Sequence, residues 1–275
     1  MTKSGINYIN PEVTLLHATP LSVSEIASRC AYRSFSKSEH ESIRDFPTTQ
    51  SAPDIPSSEL VSQLAHVYHH DSVLEHIVLQ FSIRNMSRGV LQELSRHRIG
   101  VSPTVQSTRY TMSPILNAFV AEILTNTANT TPSDWFCSTL DSINFLVTTD
   151  PEYNRIQYID IYNRLKYQYY TVSDFLSIAT SKSGREAING ITTNQEIFDT
   201  LQSGKQVRNI GDSFKHLIND NYSVDAIYTF NLRALSHFYK LRDSGAAYFQ
   251  IRELAQAMKR ATPSKYLDLI VKDNK

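Results

Sequence analysis

Cysteine is nearly missing from this chain: Cys30 and Cys137 are the only two in 275 residues. Two are too few for a disulfide framework, which points to a reducing cytoplasmic setting. Glycine is also sparse, with eight residues, and no G-x-G-x-x-G or G-x-x-x-x-G-K string occurs. A Rossmann or P-loop nucleotide site is therefore disfavoured. No apolar run is long enough to span a bilayer. The opening string MTKSGINYINPEV lacks the apolar segment of a secretory signal. Charge of one sign is missing too: 27 Lys and Arg balance 27 Asp and Glu. No global field then draws nucleic acid or an anionic membrane, and any anion site has to be local.

What is present is a local concentration of cation. Residues 96–110 read RHRIGVSPTVQSTRY, with two guanidiniums around an imidazole at one end and Ser107, Thr108 and Arg109 at the other. Arginine forks match phosphate and uracil-like carbonyl edges bidentately, as lysine cannot. Gly100, Ser102, Pro103 and Thr104 make residues 99–105 read as a loop. Alone, such a string is most often a solvated basic loop. A second string, residues 231–242 (NLRALSHFYKLR), reads as a helix. It places Arg233 and His237 on one face, at i and i+4. Asn231 and Arg242 return to nearly the same azimuth, about 16 Å apart along a straight axis.

Around these strings the chain alternates between strand and helix signals. Residues 13–18 (VTLLHA) and 77–83 (IVLQFSI) read as strands, and 226–230 as a short one. Helices are expected from Ser22 or Ser24, as the capping residue, to about residue 31, over 59–69, from Ser87 into Arg96, over 132–146 and 152–176, and over 246–260 with Pro263 as the stop. The buried stripe of the helix before Arg96 is Val90, Leu91 and Leu94. The tyrosines of YIDIYNRLKYQYY fit helix packing better than a base-stacking surface. Residues 34–58 and 184–215 are polar and punctuated. His66 and His70, with His69 and His76 nearby, have the i,i+4 spacing of a metal pair, but no third ligand is placed, so no metal is expected. Cys30 lies between Arg29 and Arg33, where a thiol is activated, yet in that setting a small buried apolar residue is the commoner outcome.

RHR, an eight-residue spacer and S-x-R-Y resembles the signature of flavin-dependent thymidylate synthases, with one residue more in the spacer than is usual there. NLRALSHFYKLR is similar to that family's N-x-R-x3-N/H-F-x3-R helix, and HDSVLEH (70–76) to its H-x-[ST]-x-x-E-H segment. RCAYRSF (29–35) resembles a flavin-contact strip, with Cys30 and Ser34 as alternative contacts. The resemblance implies flavin (FAD) contacts at His70, Ser72, Arg96, His97, Arg98, Asn231, Arg233 and His237. It implies deoxyuridylate (dUMP) contacts at Arg88, Glu93, Arg96, Ser107, Thr108, Arg109 and Lys215. Arg242 would lie against the uracil ring as the catalytic residue.

The implied reaction is reductive methylation of dUMP to dTMP. Methylenetetrahydrofolate donates the carbon, reduced FAD the hydride, and NADPH reduces the flavin. A homotetramer is implied, because family sites are assembled from several subunits. Together with the order of elements, the resemblance implies an α+β fold: a central, mostly antiparallel sheet flanked by helices. One domain would span 1–275, with an insertion within 125–210 in an expanded, largely helical middle. Two competing readings use the same residues. One is a non-catalytic nucleotide or single-stranded nucleic-acid binder built on the arginines and the tyrosine-rich helix. The other is a flavin-binding relative that has lost activity.

Overall fold

Hydrophobic alternation builds the sheet at the centre of the fold. The computed structural model describes residues 5–34, 59–125, 131–168 and 216–271, with single positions 186, 190, 196 and 200. Two compact units emerge: Asn10–Val105 with Val224–Lys275, and Met1–Ile9 with Gln106–Ser223. The first holds four strands, β1 (Glu12–Ala18), β2 (Val78–Ser87), β3 (Val101–Val105) and β4 (Ser223–Asn231), in the order β1-β2-β4-β3. The β1–β2 and β3–β4 pairs are antiparallel. Leu79, Phe81 and Ile83 of β2 alternate inward, as do Val224, Ala226, Tyr228 and Phe230 of β4. This period-two burial on both central strands fixes their register, because a one-residue slip would turn each set to solvent.

Before β4 the described residues form, in chain order, α1 (Ser22–Tyr32), α2 (Glu59–His66), a 3-10 turn (Asp71–His76), α3 (Arg88–Leu94), α4 (Thr108–Thr111), α5 (Ser113–Thr125), α6 (Asp134–Ser142) and α7 (Pro151–Gln168). After β4 come α8 (Leu232–Arg242), α9 (Phe249–Ala261) and α10 (Ser264–Ile270). α9 buries Ile251, Leu254, Ala255 and Met258, an i, i+3, i+4, i+7 stripe, and packs against β1, β2, α3 and α8. α8 buries Leu232, Leu235, Phe238 and Tyr239 and is wedged among α9, α10 and the 3-10 turn. Each such fully buried Leu or Phe contributes roughly 1.5–3 kcal/mol relative to leaving it in water.

Within the second unit, Phe119 and Phe136 meet the Tyr162 ring edge-on at 5.7 and 5.8 Å. Tyr158 and Tyr162 are buried, so these members of the tyrosine stripe do pack inward, while Tyr167 is exposed. Tyr158 donates to Asp141 at 2.6 Å; burial first, then that bond, pushes its phenol well above the usual range. The buried Glu122 carboxylate accepts from both the N–H and the hydroxyl of Ser133 at 2.6 Å. Ser133 in turn caps α6 by accepting from Phe136 N–H at 3.3 Å.

Several expectations need correction. Residues 101–105 are not loop but the edge strand β3, with Pro103 opposite Tyr228. An edge position tolerates a residue without an N–H, and the outward side chains of β3 explain its polar, loop-like composition. Neither Ser22 nor Ser24 caps α1; Leu21 precedes it, and Ser24 donates to the carbonyl of Val73 at 3.0 Å. The helix expected over 59–69 stops at His66, and the helix expected over 132–146 is the shorter α6. α5 and α10 were unforeseen, the latter beginning immediately after Pro263. Cys30 is exposed rather than a buried apolar residue. Lys215 and most of the stretch 184–215, most of 34–58 and the end of the 152–176 helix lie outside the described residues. Among the described residues, no helix is long and apolar enough to cross a membrane.

Candidate active site

α8 is the spine of the site, and the sequence sets its starting point. Asn231 ends β4 and caps α8, its side-chain oxygen accepting from Ala234 N–H at 2.8 Å. Its own N–H donates to Gly100 O at 2.8 Å, and Leu232 N–H donates to Ile77 O at 2.8 Å. These bonds bring the start of α8 against the end of the RHR string on one side and the 3-10 turn on the other. Gly100 has φ +70, and a Cβ there would come within 2.6 Å of Asn231 Cγ. Only glycine allows this approach in that backbone conformation.

The C-terminal end of α8 carries Arg242 to the end of α3. Arg242 Nε–H donates to His97 Nε2 at 3.1 Å, Nη1 meets Glu93 Oε2 at 2.8 Å, and Nη2 donates to the Glu93 carbonyl at 3.5 Å. A guanidinium can only donate, so His97 Nε2 is the unprotonated nitrogen of a neutral ring. Phe238 presses on that ring edge-on at 5.3 Å, and His237 stands at 6.1 Å. Burial, then the charges of Arg242 and His237, hold the His97 imidazole below its ordinary range against an upward pull from Glu93. The neutral form that the hydrogen bond requires is thus also the favoured one. Arg96 reaches Glu93 only at 3.8 Å and is largely exposed, whereas Arg242 is mostly buried. The i,i+3 pair visible in the sequence is therefore the weaker of Glu93's two cation contacts.

At the other end of α8, Arg233 is held by Glu75, with Asp71 at 3.9 Å. The carboxylates come from the same 3-10 turn that exposes Ser72. His70, just before it, bonds through Nδ1 to the hydroxyl of Tyr32, and the two rings stack 6.0 Å apart. His66 Nε2 bonds the carbonyl of Asp268 at 2.6 Å, so the i,i+4 histidines have separate partners. Arg98 is exposed and has no carboxylate partner among the described residues. Arg88 is half-buried at the start of α3.

The structure thus brings Glu93, Arg96 and His97 to Arg242 and His237 toward the C-terminal end of α8. At the N-terminal end of α8, where Asn231 is the cap, it sets Arg233 against the 3-10 turn that follows His70 and carries Ser72. Ser107, Thr108 and Arg109 belong to the other unit. There Ser107 is exposed and its carbonyl accepts from Thr111 N–H at 3.2 Å, while Thr108 is buried. Sequence reasoning missed Tyr32, Asp71, Glu75, Phe238 and the steric role of Gly100. All lay within or beside quoted strings (Asp71 and Glu75 in HDSVLEH, Phe238 in NLRALSHFYKLR, Tyr32 in RCAYRSF), but nothing in periodicity marks Tyr32 as the partner of His70.

Residues 14–265 match the model of a family described as thymidylate synthase complementing protein. The chain belongs to this family. The flavin-dependent thymidylate synthase of Helicobacter pylori is 27% identical over 258 residues, covering 93% of this chain and 95% of the relative. Its counterpart from Campylobacter jejuni is 28% identical over 255 residues, covering 93% of each. A crystal structure of thymidylate synthase X from Helicobacter pylori with FAD and dUMP superposes with a TM-score of 0.58 at 25% identity, covering 95% of this chain and 97% of that one. The α+β family fold, with its antiparallel sheet, is the fold seen in this chain.

Proposed function

We propose that the chain methylates dUMP to dTMP as a flavin-dependent thymidylate synthase, with methylenetetrahydrofolate as carbon donor and NADPH as reductant. One observation carries the reading: Arg242 of the second motif donates to His97 of the first, 145 residues away in sequence. Two strings that mean little separately meet in one cluster, and relatives matched over nearly their whole length carry this activity in their names. A nucleic-acid binder has no support of this kind.

The donor set suits a dinucleotide flavin. Exposed Arg98 and Arg96 offer guanidiniums to its phosphates, since neither is closely neutralised by a carboxylate among the described residues. His70, Ser72, Arg233 and His237 supply further polar contacts along α8 and the 3-10 turn. When bound and reduced, the flavin supplies the hydride that completes the methyl group. The protein's own part is position and charge. Three of the five N–H donors of Arg242 are engaged by His97 and Glu93, leaving two without a partner among the described residues. Presented to the uracil ring, they stabilise negative charge developing at N3 and its flanking carbonyls. Ser107, Thr108 and Arg109, with Arg88, Glu93, Arg96 and Lys215, are assigned to the nucleotide, and the enzyme is assigned a homotetrameric assembly.

Purified protein should be yellow, and dTMP should form only when dUMP, methylenetetrahydrofolate and NADPH are all present. Flavin binding without dTMP formation would instead identify a relative that has lost catalysis; a colourless protein that cannot be reconstituted with FAD would sink both.

A further inference from the structure

We infer that the C-terminal helix α10 braces the flavin site, with His66 and Ser236 as the positioning residues through which it acts. The inference rests on the dUMP-methylating reading, which gives the flavin to His70, Ser72, Arg233 and His237; the brace itself is a property of the fold. α10 has only seven residues. A helix so short is not stable by itself in water, and most carbonyls of its last turn have no partner within it. Two of these carbonyls are taken by side chains from other elements. The Asp268 carbonyl, which can only accept, takes a hydrogen bond at 2.6 Å from Nε2–H of His66, the last residue of α2. The Ile270 carbonyl accepts at 3.1 Å from the hydroxyl of Ser236, which stands on α8 between Arg233 and His237.

These two bonds close a ring of four elements: α10, α2, the 3-10 turn and α8. From His66 the chain reverses sharply into the turn. Tyr68 N–H donates to Gln63 O at 3.1 Å, His70 N–H to Leu64 O at 2.9 Å, and His69 sits at φ +53. A non-glycine residue in that region is strained and persists only where its surroundings hold it. The turn then meets α8 through the Arg233 pairs with Glu75 and Asp71, and α8 returns to α10 at Ser236. Arg233 is more than half exposed, and ion pairs in water gain little. They do not fix the turn alone; the second attachment, through α2 to α10, does. His70 and Ser72 lie on one arm of the ring, Arg233 and His237 on the other, so α10 sets the spacing between the two groups of flavin contacts.

The test compares His66→Leu, His66→Gln and Ser236→Ala in the full chain, with the FAD dissociation constant read from flavin fluorescence. One hydrogen bond is a factor of about 2–12 in an equilibrium constant, and a site whose competent form is less populated binds more weakly by that fraction. His66→Leu and Ser236→Ala should each weaken FAD binding about fivefold. Glutamine presents an amide N–H near the place of the imidazole Nε2–H, so His66→Gln should stay within about twofold of the wild type. Because both bonds close one ring, the double variant should lose less than the product of the single effects. Tyr266→Phe is the control: it cuts the 3.0 Å bond from α10 to Thr19 O, which lies outside the ring. Its melting temperature should fall while FAD affinity holds. Equal FAD loss in Tyr266→Phe, none in His66→Leu, or no rescue by glutamine would overturn the brace.

Amide exchange separates the brace from the reading it rests on. In His66→Leu, residues 67–76 should exchange faster than in the wild type, while those of β1 stay as they were. If the wild type takes up no FAD yet this pattern appears, the function is wrong and the brace stands. If residues 67–76 exchange as in the wild type, the brace is wrong whatever the flavin does.

Discussion

Replacing Gly100 by alanine strikes the joint between the two strings. The backbone there has φ +70, and a non-glycine residue pays about 1–2 kcal/mol in that region. The new Cβ would also lie within 2.6 Å of Asn231 Cγ. Asn231 must then rotate away, and α8 loses its side-chain cap on Ala234 N–H, worth about 1 kcal/mol. The sum is roughly 2–3 kcal/mol, and at about 2–4 °C per kcal/mol the melting point should drop by roughly 4–12 °C. Gly245→Ala is the matched control: its Cβ meets nothing within 4 Å, and its stability should stay within about 0.5 kcal/mol or improve slightly. Urea unfolding followed by circular dichroism gives both midpoints. Equal stability of Gly100→Ala and wild type would refute the steric reasoning at this joint.

Other outcomes follow from single contacts. Leu235→Ala empties a fully buried site on α8 and should cost about 2–5 kcal/mol by urea unfolding. Glu122→Ala strips both acceptors from Ser133 inside the second unit and should cost about 1–3 kcal/mol; a neutral result would show that water replaces the carboxylate. The Lys259 bond, foremost, holds the Asp243 carboxyl below its usual range. Its stabilisation is therefore complete above the unfolded value of about 3.9 and lost as pH falls through the lower folded value. Asp243→Asn should accordingly be less stable at neutral pH and lose less on acidification, read from unfolding midpoints between about pH 5 and 3. Arg98→Ala should lower flavin occupancy measured by absorbance, and unchanged occupancy would remove Arg98 from the cofactor site.

Much of the sheet was legible because its central strands are apolar. IVLQFSI announces β2, and residues 226–230 announce β4, since both bury alternate residues deeply. β3 was not legible, because an edge strand buries little and can carry Pro103; composition there reports solvent rather than secondary structure. Pro263 was read correctly as the end of α9, but proline also stands readily just before a helix, and α10 starts at Ser264. The site was legible at its anchors, which depend on local spacing and on the resemblance. Its partnerships were hidden. Glu93 stands three residues before Arg96, so the sequence offers that pair, whereas the shorter contact is to Arg242, 149 residues on. Burial decides between them: Arg96 stays in water, where an ion pair gains little, while Arg242 is mostly withdrawn from it.

The most direct test of the central claim is dTMP formation by flavin-loaded protein supplied with dUMP, methylenetetrahydrofolate and NADPH, in wild type and Arg242→Ala side by side. The wild type should convert dUMP, and the variant should keep its flavin while making no product. Wild-type turnover in Arg242→Ala, or none in a fully loaded wild type, would contradict it.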